Sequence, residues 1–172
     1  MKATHSSAAP AVLTPPKLGE FWPGQGGILG ALMRGEAGQP DHYIIVPTNP
    51  AGYVESIAWG ERGKDIKGAN SDRDGLANTL ALMKATSPTP AAEWACGLVI
   101  DGFNDFYLPA RRELHALVAN VPELFLNGWY WSSTQFSANN AWYQYFAHGS
   151  QNTWTKDYEY RARAVRRLSA IE

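Results

Sequence analysis

Cysteine occurs once in this 172-residue chain, as Cys96, which excludes an intrachain disulfide and any zinc site made of cysteines alone. Neither sign of charge is in excess: 15 Lys and Arg stand against 16 Asp and Glu, for a net charge of -1. Nucleic-acid binders normally carry a basic surplus or stripe, so that class is disfavoured. No apolar run approaches the length a bilayer-crossing helix needs. The histidines His5, His42, His115 and His148 have no Cys, Ser or acid at a spacing that marks a catalytic or metal motif. G-x-S-x-G, H-E-x-x-H and Walker sequences are all missing. Cys96, beside Trp94 and Ala95, reads as a small buried hydrophobe rather than a nucleophile. The expectation is a chain that is not an enzyme and uses no cofactor.

What is present is a globular composition, 45% hydrophobic and 18% charged, in a length that suits one domain. Residues 1–16 are rich in Ala, Pro, Ser and Thr, and read as a flexible arm; Pro10 and the Ser6-Ser7 pair interrupt what a secretory leader would need. The domain is expected over 17–172. Ile28 to Met33 and Tyr43 to Val46 read as strands joined by a turn over Gly35 to Asp41. Gly24-Gln25-Gly26-Gly27 lacks a following Lys-Ser/Thr and serves tight turns rather than a phosphate. Leu76, Leu80, Leu82 and Met83 recur at helical spacing, and Pro88 and Pro90 close that run. A short helix follows over Ala91 to Leu98, then a third over Ala110 to Asn120, with Pro109 at its first turn. Strands are expected at Trp129–Ser133, Ala141–Ala147 and Arg161–Leu168. Strands, helices, then strands is the α+β order, with antiparallel pairing and two to three short helices. The expected core holds Ile45, Trp59, Leu76, Leu80, Trp94, Leu108, Leu114, Leu117, Trp131, Trp142, Phe146 and Val165, and Trp129 is assigned to it as well.

Two stretches carry candidate chemistry. Asn70-Ser71-Asp72-Arg73-Asp74-Gly75 has alternate oxygen ligands and the glycine of a calcium loop, but Ala81 stands where a bidentate Glu belongs. Asp72 or Asp74 is better read as the cap of the helix starting near Leu76, and no metal is expected. The other stretch is Trp129–Tyr160, which holds eleven of the chain's 21 aromatic residues. From Asn120 to Thr155 the only formally charged residue is Glu123. In Trp142-Tyr143-Gln144-Tyr145-Phe146 the side chains alternate, so Trp142, Gln144 and Phe146 share one face and Tyr143 and Tyr145 the other. With the first face taken as core, the tyrosines point outward among Asn, Gln, Ser and Thr, a mixture typical of protein-recognition surfaces. Trp154 and Tyr158 are expected to be exposed with them. Arg161, Arg163, Arg166 and Arg167 are expected to form ion pairs with Asp157, Glu159 and Glu172.

Three motifs in order carry a resemblance: Asp105-Phe106-Tyr107-Leu108-Pro109-Ala110-Arg111-Arg112-Glu113-Leu114, then Trp129-Tyr130-Trp131-Ser132-Ser133-Thr134, then Arg161-Ala162-Arg163-Ala164-Val165-Arg166-Arg167. From about Gly19 to Leu168 the chain resembles the Lcl C-terminal domain family. The resemblance implies a C-type-lectin-like fold akin to the formylglycine-generating-enzyme branch. It also implies a place in bacteriophage tail-tip or tail-fibre receptor-binding proteins, bacterial adhesins or the variable proteins of diversity-generating retroelements. The enzyme branch's paired cysteines are missing, so its activity is not expected. Sugar-binding lectins of this fold also use a Trp-Asn-Asp sequence to hold calcium, and it is missing too. Carried over, the displayed positions are Asn139, Asn140, Tyr143, Tyr145, His148, Ser150, Asn152, Thr153, Trp154, Tyr158 and Tyr160. The implied function is host recognition on a virion tail, by a homo-oligomer, most simply a trimer, whose arm docks to other tail proteins. The alternative is an extracellular or cell-surface carbohydrate-binding adhesin module.

Overall fold

The computed structural model describes residues 14–36 and 38–170, so the expected arm lies almost wholly outside the described residues. A hairpin opens the fold. β1 (Phe21–Trp22) and β2 (Gly27–Met33) pair antiparallel, and β2 pairs with β3 (His42–Pro47), whose Ile44, Ile45 and Val46 suit a pleated, buried surface. A bulge between Leu29 and Ala31 falls at Gly30. A side chain there would collide with Leu117 and crowd Val46, so Gly30 lets the third helix lie close on the strand. Gly30→Ala is therefore expected to destabilise the fold by about 2 kcal/mol through overpacking, read as a lower urea midpoint at unchanged slope.

After β4 (Tyr53–Ala58) come the three helices, α1 (Gly75–Met83), α2 (Pro90–Cys96) and α3 (Arg111–Asn120). Asp74 caps α1, its carboxylate accepting the Ala77 N–H at 2.9 Å, as the polar loop before the helix suggested. Pro90 opens α2 rather than merely ending the preceding run. α3 starts after Ala110, which has no side chain to cap with. Glu113 reaches back to the Ala110 N–H at 2.7 Å, and Thr134 Oγ1 accepts the Arg111 N–H at 3.0 Å.

The chain finishes as strands: β5 (Trp129–Gln135), β6 (Asn140–Tyr145), β7 (Gln151–Thr155), β8 (Glu159–Arg163) and β9 (Arg166–Ser169). Two sheets result, β1-β2-β3-β9 and β4-β8-β5-β6-β7. The architecture is α+β with mostly antiparallel sheets and three short helices. The expected antiparallel pairing has one exception: β8 meets β5 in parallel at Tyr130 and Arg161. The single strand expected over Arg161–Leu168 is two. It leaves one sheet at Arg163, bridges to Tyr107 through Val165, and joins the other sheet at Arg166.

α3 lies between the sheets, where Leu114 and Leu117 pack with Ile44, Val46, Tyr130, Phe146 and Val165. A second core, with Trp59, Leu82, Ala91, Ala95, Leu108 and Trp131, lies under α1 and α2. The expected core holds at Ile45, Trp59, Leu108, Leu114, Leu117, Trp131, Phe146 and Val165, while Leu76 and Trp94 pack against it half-buried. Leu80 does not belong there. α1 docks through Gly75, Asn78, Thr79 and Leu82, which turns Leu80 and Met83 to solvent. The reason is chemical: Asn78 bonds Ser71 and Ser133, and Thr79 bonds the Leu108 carbonyl, so polar partners fix the rotation of the helix.

Candidate functional site

Cross-strand register decides which side chains share a face of the five-stranded sheet. Trp129 stands opposite Tyr145, Trp131 opposite Tyr143, Tyr143 opposite Asn152, and Ala141 opposite Trp154. These residues lie on one face, together with Tyr160 of β8, whose ring touches Trp131 and Tyr143. On the other face, towards α3, lie Tyr130, Trp142, Gln144, Gln151 and Thr153. The core under α1 and α2 takes in Trp131, Ala141 and Ala162 of this face, and Tyr143 and Tyr160 pack half-buried against it; Trp129, Asn152, Trp154 and Tyr158 are left exposed around them.

The rings form one connected sheet of contacts. Trp129 stacks on Tyr145 at 5.1 Å, and Tyr145 meets His148 edge-on at 5.1 Å. Tyr160 is the hub: its ring lies 5.8 Å from Trp129, 4.8 Å from Trp131, 5.2 Å from Tyr143 and 5.0 Å from Tyr158. Tyr158 in turn meets Trp154 at 6.3 Å. Trp129, Trp154 and Tyr158 are 43%, 49% and 52% exposed, which is high for rings of this size. Burial, with the neighbouring Tyr143 and Tyr158 hydroxyls adding to it, pushes the Tyr160 phenol up to about 12. The hub therefore stays a neutral hydrogen-bond donor throughout the physiological range.

Six of the displayed positions expected from the resemblance meet on this surface: Tyr143, Tyr145, Asn152, Trp154, Tyr158 and Tyr160. His148 and Ser150 are exposed in the β6–β7 turn at its margin. Asn139 is exposed in the β5–β6 turn, where its carbonyl accepts the Lys156 N–H at 3.0 Å. Asn140 and Thr153 are not with the others: alternation sends both to the α3 side, with Trp142.

Two tryptophans assigned to the core are not in it. Trp129 is exposed on the aromatic face. Trp142 is half-buried at the rim of the opposite face, where the Arg111 guanidinium lies 3.6 Å above its ring and Phe136 meets it edge-on at 5.5 Å. The arginine partners also differ from those expected. Arg166 pairs with Asp105, Arg167 with Asp74 at 3.0 Å, and Arg161 with Glu55 at 3.5 Å, all distant in sequence, while Arg163 donates to the Pro47 carbonyl. Glu172 lies outside the described residues.

The carboxylates of the calcium-like loop are engaged by guanidinium groups, Asp74 by Arg167 and Asp72 by Arg111 at 3.7 Å. Gln39-Pro40-Asp41 lies in the β2–β3 connection, on the other sheet from the aromatic surface. Its Asp41 carboxylate accepts the Gly35 N–H at 2.7 Å. No group of three or more His, Cys, Asp and Glu side chains suited to a metal occurs among the described residues. Burial raises the Cys96 thiol, which disfavours the thiolate.

Lys156 gave no signal in the sequence. It is fully buried at the β7–β8 turn, between the exposed Trp154 and Tyr158. Its ammonium donates to the Lys64 carbonyl and to Gln135 Oε1, each at 2.6 Å, and lies 4.7 Å from the centre of the Trp59 ring. Its carbonyl accepts the Trp59 and Gly60 N–H groups, so side chain and backbone together fix the turn that presents Tyr158. Comparison with protein-family models and with curated proteins finds no match for the chain.

Proposed function

We propose that this chain is a non-catalytic recognition domain that binds a receptor on a bacterial surface through the aromatic face of its five-stranded sheet. The observation that carries this reading is the connected row of rings from His148 through Trp129 and Tyr160 to Trp154, in which Trp129, Trp154 and Tyr158 stand exposed around the half-buried Tyr145 and Tyr160. Contiguous exposed aromatics on an otherwise well-packed domain mark interaction sites. Rings already held by their neighbours lose little side-chain freedom on binding, and such anchors supply most hot-spot energy. The low charge of the strands spares the contact the desolvation of unpaired ions.

The resemblance to the Lcl C-terminal domain family extends the proposal to a lectin-like scaffold at a bacteriophage tail tip or fibre. There several copies would make weak single contacts add up. A cell-surface or secreted adhesin module is the second setting for the same face.

Trp129→Ala and Trp154→Ala test the surface, since both rings are exposed and neither is needed to fill a core. Each is expected to weaken binding of the fluorescently labelled protein to susceptible bacterial cells by about 30-fold, equivalent to about 2 kcal/mol, with the melting temperature unchanged. Protease treatment of the cells abolishes binding if the receptor is protein, and periodate treatment does so if it is glycan. Normal binding by both variants would place recognition elsewhere.

A further inference from the structure

Exposed sheet edges carry unpaired backbone groups that invite another strand, and proteins blunt them with charge, bulges, proline or brevity. Among the described residues this chain has four edges, and three are blunted. β1 is two residues long, and the neighbouring part of β2 gives its Gly30 carbonyl to the Asn120 side chain at 3.1 Å. β9 begins with two ion-paired arginines. β4 is bulged between Val54 and Ile57 and carries Glu55.

β7 has none of these devices. Gln151-Asn152-Thr153-Trp154-Thr155 contains no charge and no proline, and it pairs with β6 over five consecutive positions without a shift. The backbone phase is fixed. Tyr145 donates its N–H to the Ser150 carbonyl at 2.8 Å, so alternation directs the backbone groups of Asn152 and Trp154 to β6. Those of Gln151 and Thr153 and the Thr155 N–H then face the open side, while the Thr155 carbonyl accepts the Tyr158 N–H at 3.0 Å. The Thr153 N–H accordingly goes to the adjacent Asn152 side chain at 2.8 Å, a local bond that a neighbouring strand can replace.

We propose that β7 pairs with β7 of a second copy, antiparallel about Thr153, joining two five-stranded sheets into one. A two-fold contact sets the residue on its axis, here Thr153, against its own copy, so a charge there would meet a like charge. A neutral strand avoids this. In this register Thr153 faces Thr153 of the second copy, a favourable cross-strand pair, and Asn152 faces Trp154. Both latter residues lie on the aromatic face, so pairing merges the two open surfaces into one. The proposal does not depend on what those surfaces bind. Five residues a side is a small interface, and a dissociation constant on the order of 100 µM is expected.

The test is sedimentation velocity from about 10 µM to about 1 mM, together with amide shifts of residues 151–155 over the same concentration range. The chain should pass from monomer to dimer, with shifts concentrated at Gln151, Thr153 and Thr155. Thr153→Pro removes an N–H that β6 does not use, and edge strands tolerate such a proline. Thr153→Lys keeps the N–H but sets two ammonium groups face to face. Each variant should stay folded by circular dichroism and weaken pairing at least tenfold; if the proline variant does not fold, the lysine variant decides. A monomer at the highest concentration, a trimer, or a dimer indifferent to both substitutions would overturn the proposal.

Discussion

Glu113→Ala should lower the free energy of unfolding by about 4 kcal/mol, the largest single-residue effect expected away from the hydrophobic core. The Glu113 carboxylate is fully buried and accepts from the Tyr107 hydroxyl at 2.9 Å and from the Ala110 N–H at 2.7 Å, with His42 Nε2 3.4 Å away. Alanine leaves a buried hydroxyl and a buried helix-start amide without partners, and each such orphan costs about 1–3 kcal/mol. Tyr107 has no solvent to turn to: burial, then the adjacent carboxylate, hold its phenol well above the usual range. Urea unfolding measures the loss. Glu113→Gln keeps the shape and an acceptor oxygen and should lose about half as much. A loss under about 1 kcal/mol for the alanine variant would mean that water replaces the carboxylate.

Lys156→Met should cost about 2 kcal/mol at neutral pH, since it strips the Lys64 carbonyl and Gln135 Oε1 of a donor while filling nearly the same space. Its pH signature is more distinctive. Burial lowers the Lys156 ammonium to about 8, with Asp65 opposing the shift. Between that value and the ordinary lysine range near 10.5, the unfolded chain holds a proton that the folded chain has released. Stability should therefore rise with pH across this window, because the unfolded state binds more protons there. The methionine variant should lose that rise. Urea midpoints at pH 7, 8 and 9, below the tyrosine range, check the slope, and equal slopes in both proteins would refute the assignment.

The alternation of residues 142–147 was legible, since Tyr143 and Tyr145 lie on the other face from Gln144 and Phe146, but the expected exposure was not: both tyrosines are half-buried, and Tyr143 packs against the core under α1 and α2. Hydrophobicity misplaced the neighbouring tryptophans. Trp129 and Trp131 sit two apart on one face, yet only Trp131 is reached by the helices, and nothing local tells a covered position from an open one. Trp142 is shielded by Arg111, thirty-one positions earlier in the chain. Periodicity found α1 but not its rotation, because polar bonds from Asn78 and Thr79 outweigh the apolar stripe. The cap at Asp74 was readable because its partner lies three residues away, whereas the arginine partners and Lys156 are settled by contacts across the fold. Short-range signals survive translation into structure; pairings made by topology do not.

The crossing of residues 159–169 from one sheet to the other also bears on how the molecule is made. β8 is the strand through which β4 joins β5, and β9 closes the first sheet against β3. Until this segment is placed, β4 has no partner in its sheet and β3 has an open flank. The closing contacts span most of the chain, as between Tyr53 and Arg163, so loop closure must come before they stabilise anything. Folding should accordingly be slow for a domain of this size, on the scale of milliseconds to seconds, with both sheets appearing in a single late step.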